Sequence, residues 1–130
     1  MDIRIHFILE FLEQNSDKQV SLAKLAFLVD LSGSRLRHLF THETGKSPRE
    51  YLRDLRLSQA QRLLAETKLS IDQVALRVGW QERSHFERTF KQRYGVTPSH
   101  FRSTMRFSTP TELVSSQSRH RLAAHATSQP

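Results

Sequence analysis

Apolar residues recur along this chain at helical spacing, and they do so twice in the same order. Leu22, Leu25, Ala26 and Val29, then Leu36, Leu39 and Phe40, form one pair of stripes on either side of a short polar break. Ile71, Val74, Ala75 and Val78, then Phe86 and Phe90, form the second pair. Steps of three and four residues place each set on one face of a helix. The polar frame repeats as well. Ser21 at the front and Gly45-Lys46-Ser47-Pro48 at the back are echoed by Ser70 and Gly95-Val96-Thr97-Pro98, at an offset of 49 residues at the front and 50 at the back. Two short helices joined by a tight turn, written twice, predict an all-α chain containing two helix-turn-helix units.

The segments around the repeat bring the expected count to seven helices. Residues 2–14 predict a first helix with Ile3, Phe7, Ile8, Phe11 and Leu12 on its packing face and Arg4, Glu10 and Glu13 opposite. Ser21 is a suitable N-cap for the second helix, which ends near Val29. Asp30-Leu31-Ser32 makes the turn, with Asp30 tolerating unusual backbone geometry and Leu31 tucked inward. The third helix runs from about Ser34 to Thr44 and stops at Gly45. Ser47-Pro48-Arg49-Glu50 combines a Ser N-cap, Pro in the first turn and Glu at N3, a capping box.

From that cap Tyr51, Leu52, Leu55, Ala60, Leu63 and Leu64 maintain one apolar stripe to about Glu66. At 1.5 Å per residue this fourth helix is a rod of about 28 Å. Successive major grooves on one face of B-DNA lie about 34 Å apart, so such a rod holds two reading helices nearly one turn apart. Ser70 with Gln73 at N3 opens the fifth helix, and Gly79-Trp80-Gln81 is the second turn, Trp80 being a core residue. The sixth helix runs from about Glu82 to Tyr94, and Thr97-Pro98 starts a short closing helix carrying Phe101 and Arg102. The first unit therefore covers about 21–45, the linker helix about 47–66 and the second unit about 70–95. After Phe107 the chain turns to Ser, Thr, Gln, Ala and His, which predicts a disordered tail over 107–130.

Charge gives the helices a partner. Lys and Arg number 20 against 13 Asp and Glu, a formal charge of +7, and the isoelectric point near 10.6 suits a nucleic-acid-binding domain. The absence of cysteine removes disulfides, thiolate metal sites and cysteine nucleophiles. A DNA alkyl-transfer enzyme needs an acceptor thiolate, so the chain is expected to be no enzyme. No cofactor is expected, nor a metal: His38 and His42 have i, i+4 ligand spacing but no third ligand. No run approaches the ~20 apolar residues of a membrane helix, and the N-terminus lacks a signal-peptide apolar region. The expected setting is the cytoplasm and its nucleoid. A non-specific architectural or RNA-binding protein is the competing reading. Such proteins display wedge or stacking aromatics, whereas nearly every aromatic here sits on an apolar stripe.

The string Ile71-x-x-Val74-Ala75-x-x-Val78-Gly79-Trp80-x-x-x-Ser84-x-Phe86-x-Arg88-x-Phe90-Lys91-x-x-x-Gly95-x-Thr97-Pro98-x-x-Phe101-Arg102 closely resembles the signature of the AraC/XylS family of bacterial transcription regulators. Leu25-Ala26, Ser32, Leu36, Phe40, Gly45 and Tyr51-Leu52 look like that family's first helix-turn-helix, and Arg56-Leu57-x-x-Ala60-x-x-Leu63-Leu64 looks like its linker helix. The likeness covers residues 1–106. It implies a seven-helix domain that lays its third and sixth helices into adjacent major grooves of promoter DNA, as a monomer, with RNA polymerase as the protein partner of an activator.

A recognition helix presents base-reading side chains from its N-terminal half, Arg matching the paired acceptors of guanine best. The outward candidates are Ser34, Arg35, Arg37 and His38 on the third helix and Arg83, Ser84, His85 and Arg88 on the sixth. By resemblance the family's base contacts fall on Ser34, Arg37 and His38, and on Ser84, His85 and Arg88. Phosphate contacts are expected at Lys46, Arg49, Lys91, Arg93 and Arg102, which border the repeats. His38 stands where the family usually has Arg and Thr41 where it often has Lys, so the first unit carries less permanent charge. Family members usually carry an effector-binding domain as well. The chain is then either a stand-alone regulator or the DNA-binding fragment of a longer one.

Overall fold

Local capping chemistry marks where six of the seven described helices begin, the sixth alone starting without a side-chain cap. A computed structural model describes residues 1–106, and the tail expected over 107–130 lies outside them. Seven helices follow in order: α1 (Ile3–Gln14), α2 (Leu22–Leu28), α3 (Gly33–Thr44), α4 (Pro48–Glu66), α5 (Ile71–Val78), α6 (Arg83–Tyr94) and α7 (Pro98–Arg106), with no strand among the described residues. The side chains of Ser21 and Ser32 accept from the amides of Lys24 and Arg35 at the starts of α2 and α3. Complete capping boxes, Ser47 with Glu50 and Ser70 with Gln73, open α4 and α5. Each satisfies two of the amides that a helix start leaves without partners.

The turns are also as the sequence demands. Asp30 holds φ of 57°, the one non-glycine residue in the left-handed region among the described residues. At the equivalent turn Gly79 reaches φ of 113°, where a side chain would be strained.

The apolar stripes gather into two cores, one per unit. The first holds Ile5, Ile8, Leu12, Leu25, Ala26, Leu36, Phe40 and Leu52; the second is built on Leu57, Ala60, Leu64, Val74, Val78, Trp80, Phe86, Phe90 and Phe101. Aromatic pairs knit the second, Trp80 tilted against Phe86 at 5.3 Å and Phe90 edge-on to Phe101 at 5.7 Å. The expected packing face of α1 needs correction. Ile5, Ile8 and Leu12 are fully buried, while Ile3 and Phe7 are 80% and 47% exposed. Seven of the residues from 3 to 12 are apolar, so periodicity allows two faces, and packing against α3 selects one.

The linker helix departs from expectation in the same way. Its apolar residues form two stripes rather than one. Tyr51, Leu52 and Leu55 pack on the first core, and Leu57, Ala60, Leu63 and Leu64 on the second. At about 3.6 residues per turn the two stripes point roughly 150° apart. Helix α4 is thus shared by both units.

Candidate nucleic-acid interface

Burying Leu36 and Phe40 of α3 turns Ser34, Arg35, Arg37, His38 and Thr41 to solvent. Burying Phe86 and Phe90 of α6 does the same for Arg83, Ser84, His85 and Arg88. All eight candidate base-reading residues are exposed. The fifty-residue offset sets them in register: Ser34 with Ser84, Arg35 with His85, Arg37 with Glu87 and His38 with Arg88. One pair is identical and three differ, so the two units present different donor and acceptor patterns. The side chains of Arg35, Arg37, His38 and Arg88 have no hydrogen-bond or ion-pair partner among the described residues. An exposed cation held on a helix without an intramolecular partner is available to a guanine edge or a phosphate.

Arg83 is less free. Its Nε lies 3.3 Å from Glu87 Oε2 and its Nη1 3.6 Å from Asp72 Oδ1. The Ser84 hydroxyl donates to Glu82 Oε1 at 3.4 Å, and the His85 ring stands edge-on to Trp80 at 6.4 Å. Trp80 itself is buried in the core, as its sequence context implies.

The five basic residues expected at phosphates separate into three groups. Arg49 and Lys91 are exposed. Lys46 donates from Nζ to Asp54 Oδ2 at 2.7 Å, and Arg93 Nε lies 3.7 Å from Asp54 Oδ1. Arg102 points inward, donating to the carbonyls of Leu64 at 3.1 Å and Thr67 at 3.4 Å. The guanidinium caps the C-terminal end of α4, whose last carbonyls have no helical donor.

Sequence reasoning missed Arg4. This α1 residue lines a cavity of about 370 Å3 together with Ser34, Arg35 and His38, so a second helix borders the candidate face of α3. Arg4 forks onto Asp2 at 3.1 and 2.9 Å and holds that carboxyl down at about 2. An i, i+2 Asp-x-Arg pair at a helix start was the available signal.

Comparisons with known proteins agree with this geometry. A family model described as a helix-turn-helix domain matches residues 25–104. The chain is similar to the arabinose operon regulatory protein of Escherichia coli, 36% identical over 104 residues that make up 79% of this chain and 36% of that protein. It therefore spans about a third of that regulator's length. The multiple antibiotic resistance protein MarA of Escherichia coli is 32% identical over 102 residues, 78% of this chain and 80% of MarA. Among solved structures, the DNA-binding domain of AdpA in complex with a target DNA superposes with a TM-score of 0.76 at 26% identity, covering 79% of this chain and 93% of that one. A regulator from Chromobacterium violaceum with an AraC-type DNA-binding domain gives a TM-score of 0.75 at 28% identity, covering 82% and 95%.

Proposed function

Because the chain belongs to the AraC-type helix-turn-helix family of transcription regulators, we propose that α3 and α6 read two adjacent major grooves of one promoter site, bound by a single copy. The observation that carries this reading is the pair of exposed faces, one per unit on a shared linker helix, each presenting Arg side chains without an intramolecular partner, Arg35 and Arg37 on α3 and Arg88 on α6. Ser34, Arg37 and His38 read bases in one groove, with Arg35 at the flank. Ser84, His85 and Arg88 read the other, where Arg83 is held ready by Glu87. Because the two faces differ at three of four equivalent positions, the preferred site is asymmetric, which is what a monomer reads and a symmetric dimer does not.

Arg49 and Lys91 contact phosphates from either side of the site and fix register without reading sequence. Lys46 and Arg93 contact phosphates with the donors that Asp54 leaves unoccupied, an ammonium having three and a guanidinium five. RNA polymerase is the protein partner, and the bacterial nucleoid, in the cytoplasm, is where the protein acts. Selection from random duplexes tests the reading: a reproducible bipartite motif with two unlike halves is expected, and a featureless pool overturns it in favour of non-specific binding.

A further inference from the structure

Between its two apolar stripes α4 leaves two polar seams, and each seam carries one residue that touches both units. Asp54 lies in one. Its carboxylate receives Lys46, from the turn after α3, at 2.7 Å and approaches Arg93, on α6, at 3.7 Å. Arg53 Nη2 adds a third cation at 3.3 Å. Arg56 lies in the other seam, about 160° around the helix from Asp54. It donates to the carbonyls of Ser16 at 2.6 Å and Lys18 at 2.8 Å, in the α1–α2 connection of the first unit. The same guanidinium lies 6.0 Å from the Trp80 ring centre in the turn of the second unit. It fills the space a side chain at Gly79 would need, since a Cβ there would sit 2.8 Å from Arg56 Nε. Gln59, one turn on, donates to the buried Ser16 hydroxyl at 2.9 Å and reinforces the hold on that connection.

We propose that Asp54 and Arg56 are positioning residues: two polar clamps on opposite flanks of the linker helix that fix the angle and spacing between the recognition helices. The two cores are separate, so apolar packing alone holds each unit to α4 but supplies few direct ties from unit to unit. An Arg that bridges two carbonyls through its planar fork restricts rotation more than a point charge does. A charge-assisted cluster on a partly buried carboxylate does the same from the other side. With both clamps closed, the second unit arrives at its groove already aligned once the first is seated, which raises its effective concentration. This inference rests on the two-groove reading for its purpose but not for its test.

The chain has no cysteine, so spin labels can be attached through His42→Cys and Gln92→Cys, exposed and equivalent positions on α3 and α6. Pulsed dipolar spectroscopy on the free, DNA-less protein should show one narrow distance distribution. Adding Asp54→Asn and Arg56→Gln together should broaden it markedly while helix content by circular dichroism stays constant. A distribution that stays narrow in the doubly substituted protein overturns the proposal. If helix content falls, Asp54→Asn alone, which preserves size, decides the matter by the same criterion. On DNA the double substitution should weaken a two-half site about tenfold or more relative to a single half-site, as avidity is lost. Failure in the absence of DNA sinks the clamps and leaves the two-groove reading standing, whereas a featureless DNA selection does the reverse.

Discussion

Arg102 of α7 donates from Nε to the carbonyl of Leu64 in the last turn of α4, across 3.1 Å. That carbonyl has no amide four residues on within the helix, and a cation there also meets the negative end of the helix dipole. Replacing Arg102 with Ala should therefore lower stability by about 1–3 kcal/mol, the cost of leaving partly buried acceptors unsatisfied. The salt dependence of DNA binding should not change. Urea unfolding and a salt titration read the two quantities separately. A salt slope shallower by about one, with stability intact, would return Arg102 to the phosphate backbone.

Base-reading and backbone cations should fail differently. Arg37→Ala and Arg88→Ala are each expected to relax preference at one position of the site and cost about 1–3 kcal/mol. Lys91→Ala should weaken every sequence about equally and reduce the salt slope by about one. Binding to a panel of single-base variants at several salt concentrations separates these signatures. A uniform loss in both Arg variants would reassign them to phosphates.

What the sequence conveyed clearly was local. The Ser47–Glu50 and Ser70–Gln73 boxes, the Asp30 and Gly79 turns and the stop at Gly45 are each decided within about four residues, and each is present as read. The exposure of Ser34, Arg37, His38 and Arg88 followed from the opposite burial of Leu36, Phe40, Phe86 and Phe90. What the sequence obscured was set by partners distant along the chain. On α1 an almost continuous apolar run conceals which face α3 covers, so the spacing points Ile3 and Phe7 inward whereas Ile5 is the residue buried there. On α4 the spacing predicts a single stripe that leaves out Leu57, whereas two cores draw on two faces and bury Leu57 fully. Lys46, Arg93 and Arg102 are basic residues at the repeat borders in sequence, but their acceptors are Asp54 and the carbonyls of Leu64 and Thr67. Charge alone carries no information about such pairings.

The shared helix makes the site's geometry testable without substitutions. Inserting about five base pairs between the two half-sites moves one half by about half a helical turn and turns it to the opposite face of the duplex. Specific binding should largely disappear, leaving the affinity of one unit alone. Inserting about ten should restore the face but not the distance, and so should also bind poorly. Gel-shift titration on the three duplexes checks this. Equal affinity for all of them would mean the units move independently on DNA.

Alkaline pH should expose Tyr94. Its ring packs edge-on against Phe90 at 4.8 Å, and burial pushes its hydroxyl up to about 12. Nearby Arg93 opposes that change and Asp54 adds to it. An unfolded chain releases the tyrosine proton near pH ~10, so between about 10 and 12 the folded state binds more protons than the unfolded one. Stability falls with pH wherever the unfolded state holds fewer protons. The contribution is therefore intact below about pH 10 and is lost as pH rises toward 12, a total of roughly 2–3 kcal/mol. Tyr51 is also raised by burial and acts with the same sign, so the comparison requires Tyr51→Phe beside Tyr94→Phe. Urea unfolding at pH 9 and pH 11.5 should show a smaller alkaline loss in Tyr94→Phe than in the parent chain. A loss that persists undiminished in Tyr94→Phe, and shrinks only in Tyr51→Phe, would locate the alkaline weak point in the first unit.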